Sequence, residues 1–69
     1  MQLSARNMVP AKVKSVSVGM VNAEVVMEVA PGIEIVSVIT KSSVERMGIK
    51  VGDAVKAMVK ATSVMVAKE

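Results

Sequence analysis

The chain is 69 residues long and 52% apolar, with nine Lys and Arg against six Asp and Glu, a formal net charge of +3. It has no Cys, His, Phe, Trp or Tyr. That excludes a disulfide frame, a thiolate nucleophile, ordinary zinc, haem and iron–sulfur sites, imidazole catalysis and an aromatic platform for single-stranded nucleic acid.

The length suits one small domain over residues 1–69. Sixteen of the apolar residues are Val, a β-branched side chain that packs well on a pleated surface, so strands are expected. Residues 1–9 are ambiguous: Leu3-Ser4-Ala5 suits a short strand, and Pro10 interrupts its connection to the next segment. Residues 11–21 read as a strand with Lys12 and Lys14 on one face, Val13 on the other, and Gly19 near the end. Residues 23–30 form a second strand, in which Glu24 and Glu28 alternate with Val25, Met27 and Val29. Pro31-Gly32 is a turn signal, so residues 33–40 return as a third strand and complete a β-hairpin.

The pattern changes at Thr40. Ser42 precedes Glu45 by three residues, the spacing of a capping box, and Val44 and Met47 share a helical face. Gly48 suits the left-handed residue that ends such a helix. After a turn at Val51-Gly52-Asp53, residues 54–60 form a strand with Val55, Ala57 and Val59 on one face and Lys56, Met58 and Lys60 on the other. Residues 63–67 read as a last strand. The expected fold is mostly β: a small OB-like five-stranded barrel with one short helix between the third and fourth long strands. A barrel also removes the free edges that so valine-rich a chain would expose.

A chain this short buries only about 60% of the surface its unfolded form exposes. With no disulfide or metal to staple it, association with further copies is the expected source of stability. Val26, Val36 and Val38 fall on outer strand positions, as in a sheet covered on both faces by neighbouring subunits. The longest uncharged run is nine residues, Ser15 to Ala23, short of the roughly 20 needed to cross a bilayer. No basic segment followed by an apolar stretch opens the chain, so a cytoplasmic protein with no membrane partner is expected.

The residues for catalysis are poor. Ser and Lys are present, but no activating partner is identifiable, and an enzyme is not expected. Donors are better represented. An ionised oxyanion presents only acceptors, so it needs N–H and O–H groups around it. Three segments combine hydroxyl and cation with no acid among them: Ser4-Ala5-Arg6-Asn7, Thr40-Lys41-Ser42-Ser43 and Lys60-Ala61-Thr62-Ser63. The second also opens a helix, where backbone N–H groups favour an anion. Each has an ordinary structural use as well: a serine is needed as a helix cap, and Arg6 and Lys60 serve as solvated charges.

These segments, together with Val21-Asn22-Ala23-Glu24-Val25, Ile39-Thr40-Lys41-Ser42-Ser43-Val44, Gly48-Ile49-Lys50-Val51-Gly52-Asp53 and Lys60-Ala61-Thr62-Ser63-Val64, occur in the order found in the molbindins. The chain strongly resembles these stand-alone Mop domains of the molybdate-binding TOBE class over essentially its whole length. The resemblance implies an OB-like barrel assembled as a hexamer, a trimer of dimers. It implies binding of molybdate, and of the similar tungstate, at subunit interfaces, for intracellular storage or buffering and with no organic cofactor. Carried over by position, the main site would use Ser4 and Arg6, Thr40 and Ser43, and Lys60 with the backbone N–H of Ala61. A second class of site near a threefold axis would lie around Val21, Asn22 and Ala23. Met20, Met27 and Met58 are expected to serve packing, because thioethers suit soft metals rather than oxyanions.

Two other readings stand beside this one. Swapped-hairpin DNA-binding regulators of the AbrB type also carry a short helix followed by a Gly-Ile-Lys-x-Gly-Asp turn, but here the cations are scattered and nothing supports groove reading. The other is a purely structural assembly module.

Overall fold

A computed structural model of the chain describes residues 7–69. The elements in order are β1 (Asn7–Val18), β2 (Asn22–Ala30), β3 (Ile33–Thr40), α1 (Lys41–Met47), β4 (Ala54–Val59) and a 3-10 turn (Ala61–Ser63). The strands form one antiparallel sheet in the order β3-β2-β1-β4.

β1 begins and ends earlier than the 11–21 expected. It runs straight through Pro10, which therefore does not interrupt it. Pro10 is tolerated because β1 pairs there only with β4; its pairing with β2 begins at Lys12. The first half of β1 thus serves β4 and the second half β2, with a bulge between Val13 and Ser15 where the two roles meet. At the far end Gly19 closes a tight reversal, its N–H donating to the Asn22 carbonyl at 2.8 Å, so residues 19–21 form a turn rather than strand. The β2–β3 hairpin turns at Pro31-Gly32 as expected, Gly32 taking φ 77°.

The helix forms, but its cap is Thr40, not Ser42. Thr40 ends β3 with φ −71° and ψ 151°, the extended backbone an N-cap requires, and its Oγ1 accepts the Ser43 N–H at 3.1 Å. Ser42 lies within the helix, so the Ser42–Glu45 capping box does not form. Glu45 faces Lys41 instead, one turn back, at 3.9 Å. Gly48 ends the helix as expected in the left-handed region (φ 64°). Its N–H reaches the Glu45 carbonyl and the Ile49 N–H the Val44 carbonyl, both at 3.2 Å, the paired bonds of a Schellman motif.

The buried core is small: Val13, Ala23, Val25, Met27, Val44 and Ala57. Val44 is the helix's contribution, and Ala11, Val16, Ile35, Ile39, Ile49 and Val55 pack around the set half-buried. β4 keeps the expected alternation, with Ala57 buried and Lys56 and Met58 exposed. Of the methionines expected to pack, Met27 does so, whereas Met20 is 94% exposed and Met58 nearly half. Met20 sits in the β1–β2 turn, beyond reach of the core.

Among the described residues the sheet is not closed. β3 and β4 each keep one unpaired edge, so the described residues form a four-stranded open sheet. Residues 63–67 form no strand: Ser63 ends the 3-10 turn and the following residues are irregular and exposed. Their alternation has strand character, but strand propensity is realised only against a neighbouring ladder, and among the described residues the segment pairs with none. Val36, Val38, Met65 and Val66 are all more than half exposed.

Candidate functional site

Ser4 and Arg6 lie outside the described residues. The position following them is informative: Asn7 opens β1 directly opposite Val59 of β4. The end of the first donor segment therefore lies across from the residue that precedes the third. Lys60 follows β4 and leads into the 3-10 turn, which is closed by Ser63 N–H to the Lys60 carbonyl (2.8 Å) and Val64 N–H to the Ala61 carbonyl (3.3 Å). These bonds do not use the Ala61 N–H. Lys60 forms no ion pair among the described residues.

The second segment occupies the other corner. Thr40 pairs with Asn22 and Ile39 with Ala23, and the Lys41 N–H donates to the Val21 carbonyl at 2.7 Å. The 21–23 segment and the Thr40–Ser43 segment, assigned from sequence to two different sites, are thus adjacent across β2 and β3. Within 21–23 side-chain donors are limited to one residue. The Val21 carbonyl is already paired and Ala23 is buried in the core, so Asn22 alone presents a polar side chain.

At this corner the hydroxyls form a cluster. Thr40 Oγ1 accepts from the Ser43 N–H and donates to Ser43 Oγ at 2.7 Å; Ser42 Oγ lies 3.3 Å from Thr40 Oγ1. The Thr40 proton is committed inside the cluster, which leaves the Ser43 proton for a ligand. The cluster borders an open depression of 420 Å³ lined by Met20, Val21, Thr40, Lys41, Ser42 and Glu45. Ser42, Lys41 and Glu45 were not among the residues assigned to the site from sequence. The four-residue spacing of Lys41 and Glu45 on a short helix was the available signal for the pair.

The two corners are not joined. Among the described residues no hydrogen bond links Lys60 or Ala61 to Thr40 or Ser43. Between them lies an apolar groove of 590 Å³ running along the unpaired edges of β3 and β4, with Ser43 and Val59 both in its lining. Away from both corners, Lys14 at the bulge forms an ion pair with Glu34. The Glu34 hydrogen bond and charge hold the Lys14 ammonium above its ordinary pKa.

The chain belongs to the TOBE domain family, which matches residues 3–66. It is 47% identical over 66 residues to "Molybdenum-pterin-binding protein 2" of Clostridium pasteurianum, covering 96% of this chain and 97% of that one. Among solved structures it is similar to a molybdate binding protein from Sporomusa ovata, with a TM-score of 0.92 and 43% identity over 99% of this chain and 100% of the other. It also matches ModG, described as a cytoplasmic molybdate-binding protein and solved with molybdate bound, with a TM-score of 0.83 and 43% identity over 88% of this chain and 43% of that one. No helix among the described residues is long and apolar enough to cross a membrane.

Proposed function

We propose that the chain is a single-domain, non-catalytic carrier of molybdate, and of tungstate, that holds the oxyanion between copies of itself in the cytoplasm. The observation that carries this reading is the separation of its donors into two exposed corners of one chain. A tetrahedral anion is small, and donors at both corners surround it only when a second copy brings the opposite corner across. The main site then takes Lys60 and the Ala61 N–H from one corner and Thr40 and Ser43 from the other, with Ser4 and Arg6 as its further donors. Asn22, with Val21 and Ala23, marks a second position. Binding is by charge-assisted hydrogen bonds and charge neutralisation, with no covalent step and no organic cofactor.

Support for assembly comes from the small core, the exposed valines and the two free strand edges. A sheet with open edges and, among the described residues, a core of six buried side chains is marginal alone. The proposed assembly is a hexamer built as a trimer of dimers, in which residues 63–67 become the fifth strand and the barrels close. Relatives named for molybdenum-pterin or molybdate binding support the choice of anion. Storage or buffering follows from binding without turnover.

Native mass spectrometry with added molybdate reports chains and anions per particle together. A hexamer that gains molybdate is the expected result. Calorimetric titration with molybdate and with sulfate at equal concentration tests selectivity: heat with molybdate alone is expected, and equal or absent heats refute the reading.

A further inference from the structure

We propose that Glu45 sets the affinity of the oxyanion site: its carboxylate competes with the bound anion for the Lys41 ammonium. The inference rests on the oxyanion-binding reading above and adds Lys41, which lines the same depression as Thr40, to the groups that meet the anion. The depression beside the hydroxyl cluster contains one cation, Lys41, and one carboxylate, Glu45. Their Nζ and Oε1 atoms are 3.9 Å apart, and both side chains are well exposed. Neither is locked in place, and the pair itself adds little stability.

A fully ionised oxyanion accepts hydrogen bonds and donates none. It therefore gains from Lys41 and the hydroxyls, and gains nothing from a carboxylate. When the anion takes Lys41, Glu45 loses its partner and faces a dianion. At a spacing of about 7 Å in a water-like dielectric, one carboxylate against two charges weakens binding about sevenfold. Salt reduces this, since the screening length is about 8 Å at physiological ionic strength. The same carboxylate holds Lys41 when the site is empty. Glu45 thus lowers the affinity from the ceiling the site's donors would allow and eases release.

The test is calorimetric titration of the full chain, in its native assembly, with sodium molybdate at low and at physiological ionic strength. Glu45→Gln keeps the side chain's shape and helix preference and removes its charge. Glu34→Gln makes the same change in net charge near the opposite end of β3, where Glu34 pairs with Lys14. The expected result is binding about three- to sevenfold tighter in Glu45→Gln at low salt, a smaller gain at physiological salt, and no change in Glu34→Gln. An affinity in Glu45→Gln equal to or weaker than wild type overturns the inference, as does an equal gain in Glu34→Gln. Wild-type protein that takes up no molybdate overturns the oxyanion reading itself, and this inference with it.

Discussion

Replacing Thr40 by Val removes one hydroxyl and keeps the shape and β-branching that the end of β3 requires. The hydroxyl has two structural bonds to lose: it accepts the Ser43 N–H at 3.1 Å and donates to Ser43 Oγ at 2.7 Å. The first is the N-cap bond, whose loss costs about 1 kcal/mol. The second is exposed on both sides, so water replaces it at little cost. For a chain of this size about 1 kcal/mol lowers Tm by about 4–8 °C. Thr40→Ser restores the oxygen and should recover most of the difference. The assay is thermal unfolding by circular dichroism without added anion. Chain concentration must be held fixed, because the Tm of an assembly depends on it. If Thr40→Val melts with wild type, or Thr40→Ser melts as low as Thr40→Val, the cap is not the source of the hydroxyl's value and the reasoning fails.

Lys60→Ala should weaken molybdate binding about ten- to a hundredfold in calorimetry, the range set by loss of one charge-assisted hydrogen bond, while leaving the melting temperature of the anion-free protein nearly unchanged. Gly48→Ala should cost about 1–2 kcal/mol in urea unfolding with an unchanged m-value, because the residue sits at φ 64° with open space around any added Cβ, so the cost is backbone strain alone. The Lys14–Glu34 pair sets a pH dependence. Its ammonium is held above the ordinary value of 10.5, so its contribution is complete below that pH and fades as pH rises through the raised value. The stability difference between wild type and Lys14→Met, followed by denaturant titration from pH 7 upward, should therefore hold steady to about pH 10 and then shrink. A difference that grows with alkalinity would contradict the pairing.

What could be read from the sequence was local. Pro31-Gly32 and Gly48 each require a backbone shape that few residues adopt, so their turn and helix end were visible in isolation. The inward alternation of Val55, Ala57 and Val59 was equally plain. The helix cap was misassigned because Thr40, Ser42 and Ser43 all carry a suitable oxygen. The choice among them was made by β3, whose extended backbone runs as far as Thr40. Pro10 looked disruptive because nothing local tells that only one edge of β1 is paired at that point. Residues 63–67 have the alternation of a strand, but pairing is a property of two segments, and among the described residues no second one lies beside them. The site follows the same division. The hydroxyl-and-cation segments were legible as composition. Their sorting into two corners depends on the registers Asn7 to Val59 and Asn22 to Thr40, which join residues far apart in the chain. Glu45 has the sequence spacing of a capping-box residue, whereas the pitch of the helix brings it beside Lys41 in the depression.

The bulge in β1 has a consequence for how the chain tolerates changes in length. Up to Val13 the inward residues are odd-numbered, Ala11 and Val13; beyond the bulge they are even-numbered, beginning with Val16. Lys14 is the frame shift between the two phases. Deleting it would join them into one uninterrupted alternation, with Val13 and Val16 still inward and only the Glu34 ion pair lost. Deleting Lys12 instead would invert the phase of the first half of β1 and turn Ala11 and Val9 outward. The strand that looks least able to lose a residue therefore has a place, at its bulge, where a one-codon deletion preserves the apolar phase.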